Sequence, residues 1–125
     1  MHKFIIGILF VFLLGCQQEE TNWQGGVDQN SNGIRDDIDT WIKEKAGDSN
    51  RLKKALETLA KVNPADCEYS VKAKCLEQLS EDGIFLQIEL LELQLNTSEL
   101  REKFEDNLKN CPRIDDRKIN YKCDL

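Results

Sequence analysis

The segment "IFLQIELLELQL", residues 84–95, is the densest apolar run outside the N-terminus, and it restricts the fold more than any other feature of the chain. Read at 100° per residue, Ile84, Ile88, Leu91 and Leu95 fall on one side, and Leu86, Leu90 and Leu93 fall on nearly the opposite side. The local alternation would also suit a strand. Leu, Glu and Gln are good helix formers, however, and β-branched residues are scarce here, so the segment reads as a helix. A helix apolar on two faces is expected to be central and buried, which requires other helices around it.

The remaining pattern supplies them. Ile34, Ile38, Trp41 and Ile42 recur at three and four residues from Arg35 onward, and Gly47 can end that helix. Asp48 or Ser49 can cap a second helix, with Leu52, Ala55, Leu56, Leu59, Ala60 and Val62 as its stripe, broken by Asn63-Pro64. A third, over residues 68–79, carries Tyr69, Ala73, Leu76 and Leu79, and Asp82-Gly83 is expected to close it. The fifth begins at "NTSE", where Asn96 and Glu99 have the spacing of a capping box and Leu100, Phe104 and Leu108 form the expected buried stripe. The fold class is therefore all-α, a small bundle of about five helices.

The N-terminus "MHKFIIGILFVFLLGC" reads differently. Phe4 to Leu14 is unbroken apolar sequence, too short for a membrane-spanning helix of about 20 residues and suited to a secretory signal. Its end, Leu13-Leu14-Gly15-Cys16, resembles the lipobox of bacterial lipoproteins. The resemblance implies a signal peptide over residues 1–15 and a lipidated Cys16 with palmitate-type acyl chains. Gln17 rather than Asp after the Cys implies the outer membrane of a Gram-negative cell envelope. Residues 16–27 then read as the lipidated Cys and a flexible, polar tether, with a helical domain over 28–125.

Removing residues 1–15 takes away His2 and Lys3, so the chain keeps no His and its formal charge moves from −6 to −7. Sites built on His, whether Ser-His-Asp, Cys-His or His-ligated zinc, are excluded. An acidic body disfavours nucleic acid as a partner. Cys67, Cys75, Cys111 and Cys123 remain, and an even count in a small exported chain reads as two disulfides. Four Cys allow three connectivities. Cys67 and Cys75 on one continuous helix would be about 12 Å apart, beyond the roughly 7 Å limit for a bridge. Either Cys67 lies in the loop after Pro64 or the bridges cross between helices. Cys111-Pro112 marks a helix end, and Cys123 is expected to tie the last residues back to the body.

The segment "DQNSNGIRDDID", residues 28–39, carries the one concentrated chemical signal. Numbered from Asp28, oxygen-bearing side chains fall at positions 1 (Asp28), 3 (Asn30), 5 (Asn32), 9 (Asp36) and 12 (Asp39), with Gly33 at position 6. A chain wraps one cation when alternate side chains point inward, and glycine permits the sharp turn that follows. Calcium takes six to eight hard oxygen ligands in a forgiving geometry. The register resembles the calcium loops of thrombospondin type 3 repeats and, more distantly, EF-hand loops. That resemblance implies Asp28, Asn30, Asn32, Asp36 and Asp39 as side-chain ligands and Ile34 as a backbone-carbonyl ligand. Asn at positions 3 and 5 and the short Asp at 12 imply affinity of about 10⁻⁴ to 10⁻³ M. The competing reading is a polar turn: Asn-Gly turns, Asp caps and acidic first turns need no metal.

These features lead to a non-enzymatic, lipid-anchored envelope protein, either a binding or a structural module, with one calcium ion as cofactor. Its expected partners are the membrane, through Cys16, and another envelope protein. The alternatives are an inhibitor or adaptor of an envelope enzyme, and a glycan hydrolase using a carboxylate pair such as Glu89 with Glu92 or Asp115-Asp116. With 23 acidic residues some close pair is nearly inevitable, so catalysis requires a cleft and a raised pKa.

Overall fold

A computed structural model describes residues 25–113, 115 and 117 of the protein. The chain forms helices α1 (Asp36–Ala46), α2 (Asn50–Ala60), α3 (Tyr69–Leu79), α4 (Gly83–Gln94) and α5 (Ser98–Asn110), with no strand among the described residues. The all-α expectation is met.

Local chemistry sets most boundaries. Asp36, Asp37 and Asp39 lie in the first turn of α1 and Lys43 and Lys45 in its last, each opposite in sign to the helix dipole. Gly47 ends α1 at φ 51°, donating its N–H to the Lys43 carbonyl. The Ser49 hydroxyl caps α2 by accepting from the Leu52 N–H at 3.2 Å. After α2, the Asn63 side chain accepts from the Ala65 N–H at 2.9 Å and turns the chain at Pro64.

Two boundaries differ from expectation. α5 is capped by Thr97, not Asn96: Thr97 has the extended backbone of an N-cap and its hydroxyl accepts from the Leu100 N–H at 3.2 Å. The helix thus starts one residue later, and Glu99 falls out of capping-box register. Gly83 does not close α3, which ends at Leu79 with Ser80 as its C-cap; it is buried and begins α4. A Cβ there would lie 2.2 Å from the Leu76 carbonyl oxygen, so only glycine lets the two helices meet.

Helices α1 to α4 pack in sequence, and α4 closes back on α1. Their core includes Ile34, Ile38, Ile42, Leu56, Leu59, Tyr69, Ala73, Leu76, Leu86 and Leu90. The expectation for α4 is only half met. Leu86, Leu90 and Gln94 are buried, while Ile84, Phe85 and Ile88 are 55%, 67% and 49% exposed. The reason is positional: α4 packs on α3 and α1 with one side, and no described helix covers the other. Gln94, which sequence reading passed over, occupies the buried stripe four residues after Leu90. Its amide NH₂ donates to the carbonyls of Ala60 at 3.2 Å and Val62 at 3.3 Å, and its oxygen accepts from the Tyr69 hydroxyl at 2.8 Å.

α5 has no buried residue; Leu100 and Phe104 are half-buried and Leu108 is 52% exposed, so the expected buried stripe is not formed. Links among the described residues attach the helix. Arg101 Nη1 donates to the Leu95 carbonyl at 3.3 Å, Asn107 Nδ2 donates to the Ala65 carbonyl at 3.4 Å, and a Cys67–Cys111 disulfide spans Cα atoms 5.4 Å apart. Cys67 lies in the turn before α3 and Cys111 at the end of α5, so the bridge joins loop to helix end. Cys75 is also disulfide-bonded, whereas Cys123 and Cys16 lie outside the described residues.

With so little buried surface, α5 depends on its crosslink. The Cys67→Ser, Cys111→Ser double variant is expected to lose hydrogen-exchange protection over Ser98–Asn110 while the amides of Ile38, Leu56 and Leu90 stay protected. Equal loss across all five helices would show instead that α5 unfolds only with the core.

Candidate metal loop

Residues 28–35 form an excursion closed at its base, where the Asp36 N–H donates to the Val27 carbonyl at 2.8 Å. Asp28 organises the interior. Its Oδ1 accepts from the Asn32 N–H at 3.3 Å and its Oδ2 from the Gly33 N–H at 3.0 Å. Asn30 Oδ1 accepts from the Asn32 N–H at 3.3 Å, and Asn32 Oδ1 from the Ile34 N–H at 2.9 Å. Gly33 has φ 82°, which glycine adopts freely; Ser31, at φ 54°, adopts the left-handed region at a cost of about 1 kcal/mol.

The first turn of α1 reaches back into this loop. Asp39 Oδ2 accepts from Asn32 Nδ2 at 2.8 Å and from Asn30 Nδ2 at 3.4 Å, so two of the expected ligands meet a third through their amide nitrogens while their oxygens face backbone N–H groups. The Asp36 carboxylate is turned to the backbone, accepting from the Gln29 N–H at 3.1 and 3.2 Å. Ile34 buries its side chain in the core at 1% exposure, which anchors the loop to the bundle.

The donor set suits a hard cation. It consists of carboxylate and amide oxygens, the ligand chemistry of calcium rather than zinc. An oxygen that accepts one N–H keeps a further lone pair, so the loop's internal hydrogen bonds do not exhaust it. The two amide NH₂ groups now bring partial positive charge to Asp39, a role that a cation would fill. Among the described residues, no group of three or more His, Cys, Asp or Glu side chains is gathered to hold a metal; the convergence depends on the Asn amides.

Arg35, between the loop and α1, carries a feature that sequence reading missed. Its side chain is 5% exposed, and its Nε and Nη2 pair with the two carboxylate oxygens of Asp37, the latter at 2.7 Å. Nη2 also donates to the Leu93 carbonyl at 2.7 Å, in the last turn of α4. Hydrogen bonding from Arg35 holds the Asp37 carboxyl below the ordinary Asp range. The only hint in the sequence was an Arg among four Asp in a stripe otherwise apolar.

The nominated carboxylate pairs behave otherwise. Glu89 is engaged by Lys45 Nζ at 3.0 Å and Trp41 Nε1 at 3.1 Å, and these donors lower its pKa. That is the reverse of what a general acid needs. Asp115 accepts from Arg117 Nε at 3.1 Å, and Asp116 lies outside the described residues.

No family model, curated protein or solved structure matches the chain.

Proposed function

We infer that this protein is a lipid-anchored cell-envelope module of non-enzymatic character that binds one calcium ion in the loop 28–39. The convergence of Asn30 and Asn32 on Asp39, across a turn organised by Asp28, carries the calcium reading. The sequence Leu13-Leu14-Gly15-Cys16 supports the anchor, and Gln17 after it supports an outer-membrane location. No helix among the described residues is long and apolar enough to cross a membrane; in this reading the acyl chains on Cys16 provide the attachment. The role of the ion is structural: it holds the loop against α1, so that Ile34 and Ile38 dock in one arrangement.

A second reading, an adaptor or inhibitor of an envelope enzyme, is favoured by the exposed Ile84, Phe85 and Ile88 on α4, since a contiguous apolar surface of this kind commonly marks an interaction site. It is compatible with the calcium loop.

Calorimetric titration of the purified protein with calcium chloride tests the reading. Saturable binding is expected with a Kd of about 10⁻⁴ to 10⁻³ M, and the Asp28→Ala, Asp39→Ala variant should lose it. Calcium at tenfold its Kd should add about 1.4 kcal/mol of stability to the wild type alone. No heat, and no rise in Tm at millimolar calcium, would reduce the loop to a helix-starting turn.

A further inference from the structure

Arg35 occupies position 8 of the loop, and its side chain leaves the loop for the end of a different helix. Its route is closely bounded. The chain entering the loop passes directly over it, for a Cβ on Gly26 would lie 2.0 Å from Arg35 Cδ and 2.7 Å from Cγ. Val27, the next residue, is held to Asp36 by the 2.8 Å bond at the base of the loop. Beneath that crossing the guanidinium donates to Leu93 O, one of the last carbonyls of α4, where a cation is favoured by the helix dipole. The neighbouring Gln94 ties the same turn to Tyr69, Ala60 and Val62. The loop and the polar core at the end of α4 are therefore joined through the Arg35 side chain. Anything that fixes both ends of the loop also fixes the seat of Arg35.

We propose that Arg35 is a positioning residue that couples cation occupancy of the loop to the C-terminal turn of α4. This rests on the calcium reading above. The ion and the Arg35–Leu93 contact require the same loop conformation, so each favours the other. By linkage the coupling is reciprocal: breaking the contact weakens the ion by the factor by which the ion strengthens the contact. Arg35 supplies no ligand, and as a cation near the loop it would by charge alone oppose calcium. Removing it should therefore strengthen binding if charge governs, and weaken binding if positioning governs.

Two variants separate these outcomes. Arg35→Met keeps the aliphatic stem and removes the donors; Asp37 is then left 56% exposed, so no buried charge is stranded. Gly26→Ala keeps every charge and displaces the Arg35 stem from its seat. Calcium titration by calorimetry is read with calcium-dependent hydrogen exchange at Leu95, whose N–H donates to the Leu91 carbonyl at 2.9 Å. Both variants are expected to bind calcium about tenfold more weakly, within the usual range of coupling between sites. In the wild type, calcium should slow exchange at Leu95; in the variants it should not.

Unchanged or tighter binding in both variants, with the Leu95 response retained, overturns the coupling and leaves the calcium loop standing. Absence of binding in the wild type overturns both readings and is told apart by that fact. Should Arg35→Met fail to fold, Gly26→Ala decides alone.

Discussion

Gln94→Leu is expected to destabilise the protein by about 3 kcal/mol or more, although it places an apolar side chain in a fully buried position. Gln94 is 0% exposed and meets three partners that no other described side chain replaces: the carbonyls of Ala60 and Val62, and the Tyr69 hydroxyl. Leucine matches the volume and gains transfer energy, yet it strands those groups at about 1 to 3 kcal/mol each. Tyr69→Phe should cost less, because it strands only the Gln94 oxygen. The double variant should fall well short of the sum, since both changes remove one shared bond. Chemical denaturation of the four proteins measures this. Strict additivity, or a Gln94→Leu cost below 1 kcal/mol, would show that the network does not hold α2, α3 and α4 together.

The same pair sets an alkaline limit. Burial raises the Tyr69 pKa well above its ordinary value of 10.0. A raised pKa in the folded state means that this contribution is complete below the unfolded value and declines as pH rises past it. Stability should therefore fall from about pH 10 upward, and the difference between wild type and Tyr69→Phe should narrow over the same range.

Gly83→Ala is expected to cost about 3 kcal/mol, opposite in sign to the usual effect of replacing glycine in a helix. Alanine favours a helical position by up to about 1 kcal/mol. At Gly83, however, the added Cβ would sit 2.2 Å from Leu76 O, 2.4 Å from Leu76 C and 2.7 Å from Glu77 Cα. All three are backbone atoms of the last turns of α3, so no side-chain rotation relieves the overlap and the two helices must separate. Gly47→Ala makes the contrast. Nothing lies within 4 Å of a Cβ there, and the penalty comes only from the positive φ of 51°, about 1 to 2 kcal/mol. Thermal unfolding of both variants should rank Gly83→Ala as clearly the more damaging. Equal effects would mean that the α3–α4 contact yields easily.

How far the fold and the loop were legible in the sequence follows from the range of the forces involved. The register of Asp28, Asn30, Asn32 and Asp39 spans twelve residues, and the turn that brings Asn30 and Asn32 to Asp39 is built from side chains bonding to backbone groups nearby. Such a motif is visible in the order of residue types. The direction of the Asp36 carboxylate toward Gln29 was not, because Asp at that position serves a ligand, a cap or a loop brace equally well. Arg35 was unreadable for a different reason: its partner Leu93 lies 58 residues away.

The amino-acid order alone determined that the chain is helical and where several helices turn. Gly47, Ser49 and Cys111-Pro112 act through φ angles and hydrogen bonds within one turn, and these need no distant partner. Only the tertiary structure decided which side of α4 is buried, that Gln94 belongs in the core, that Gly83 is a contact rather than a stop, and that Cys67 pairs with Cys111. Each of those depends on what lies across from the residue. Ile88 and Leu90 are equally apolar, and their fates differ because Leu90 faces the neighbouring helices while Ile88 has no described helix opposite it.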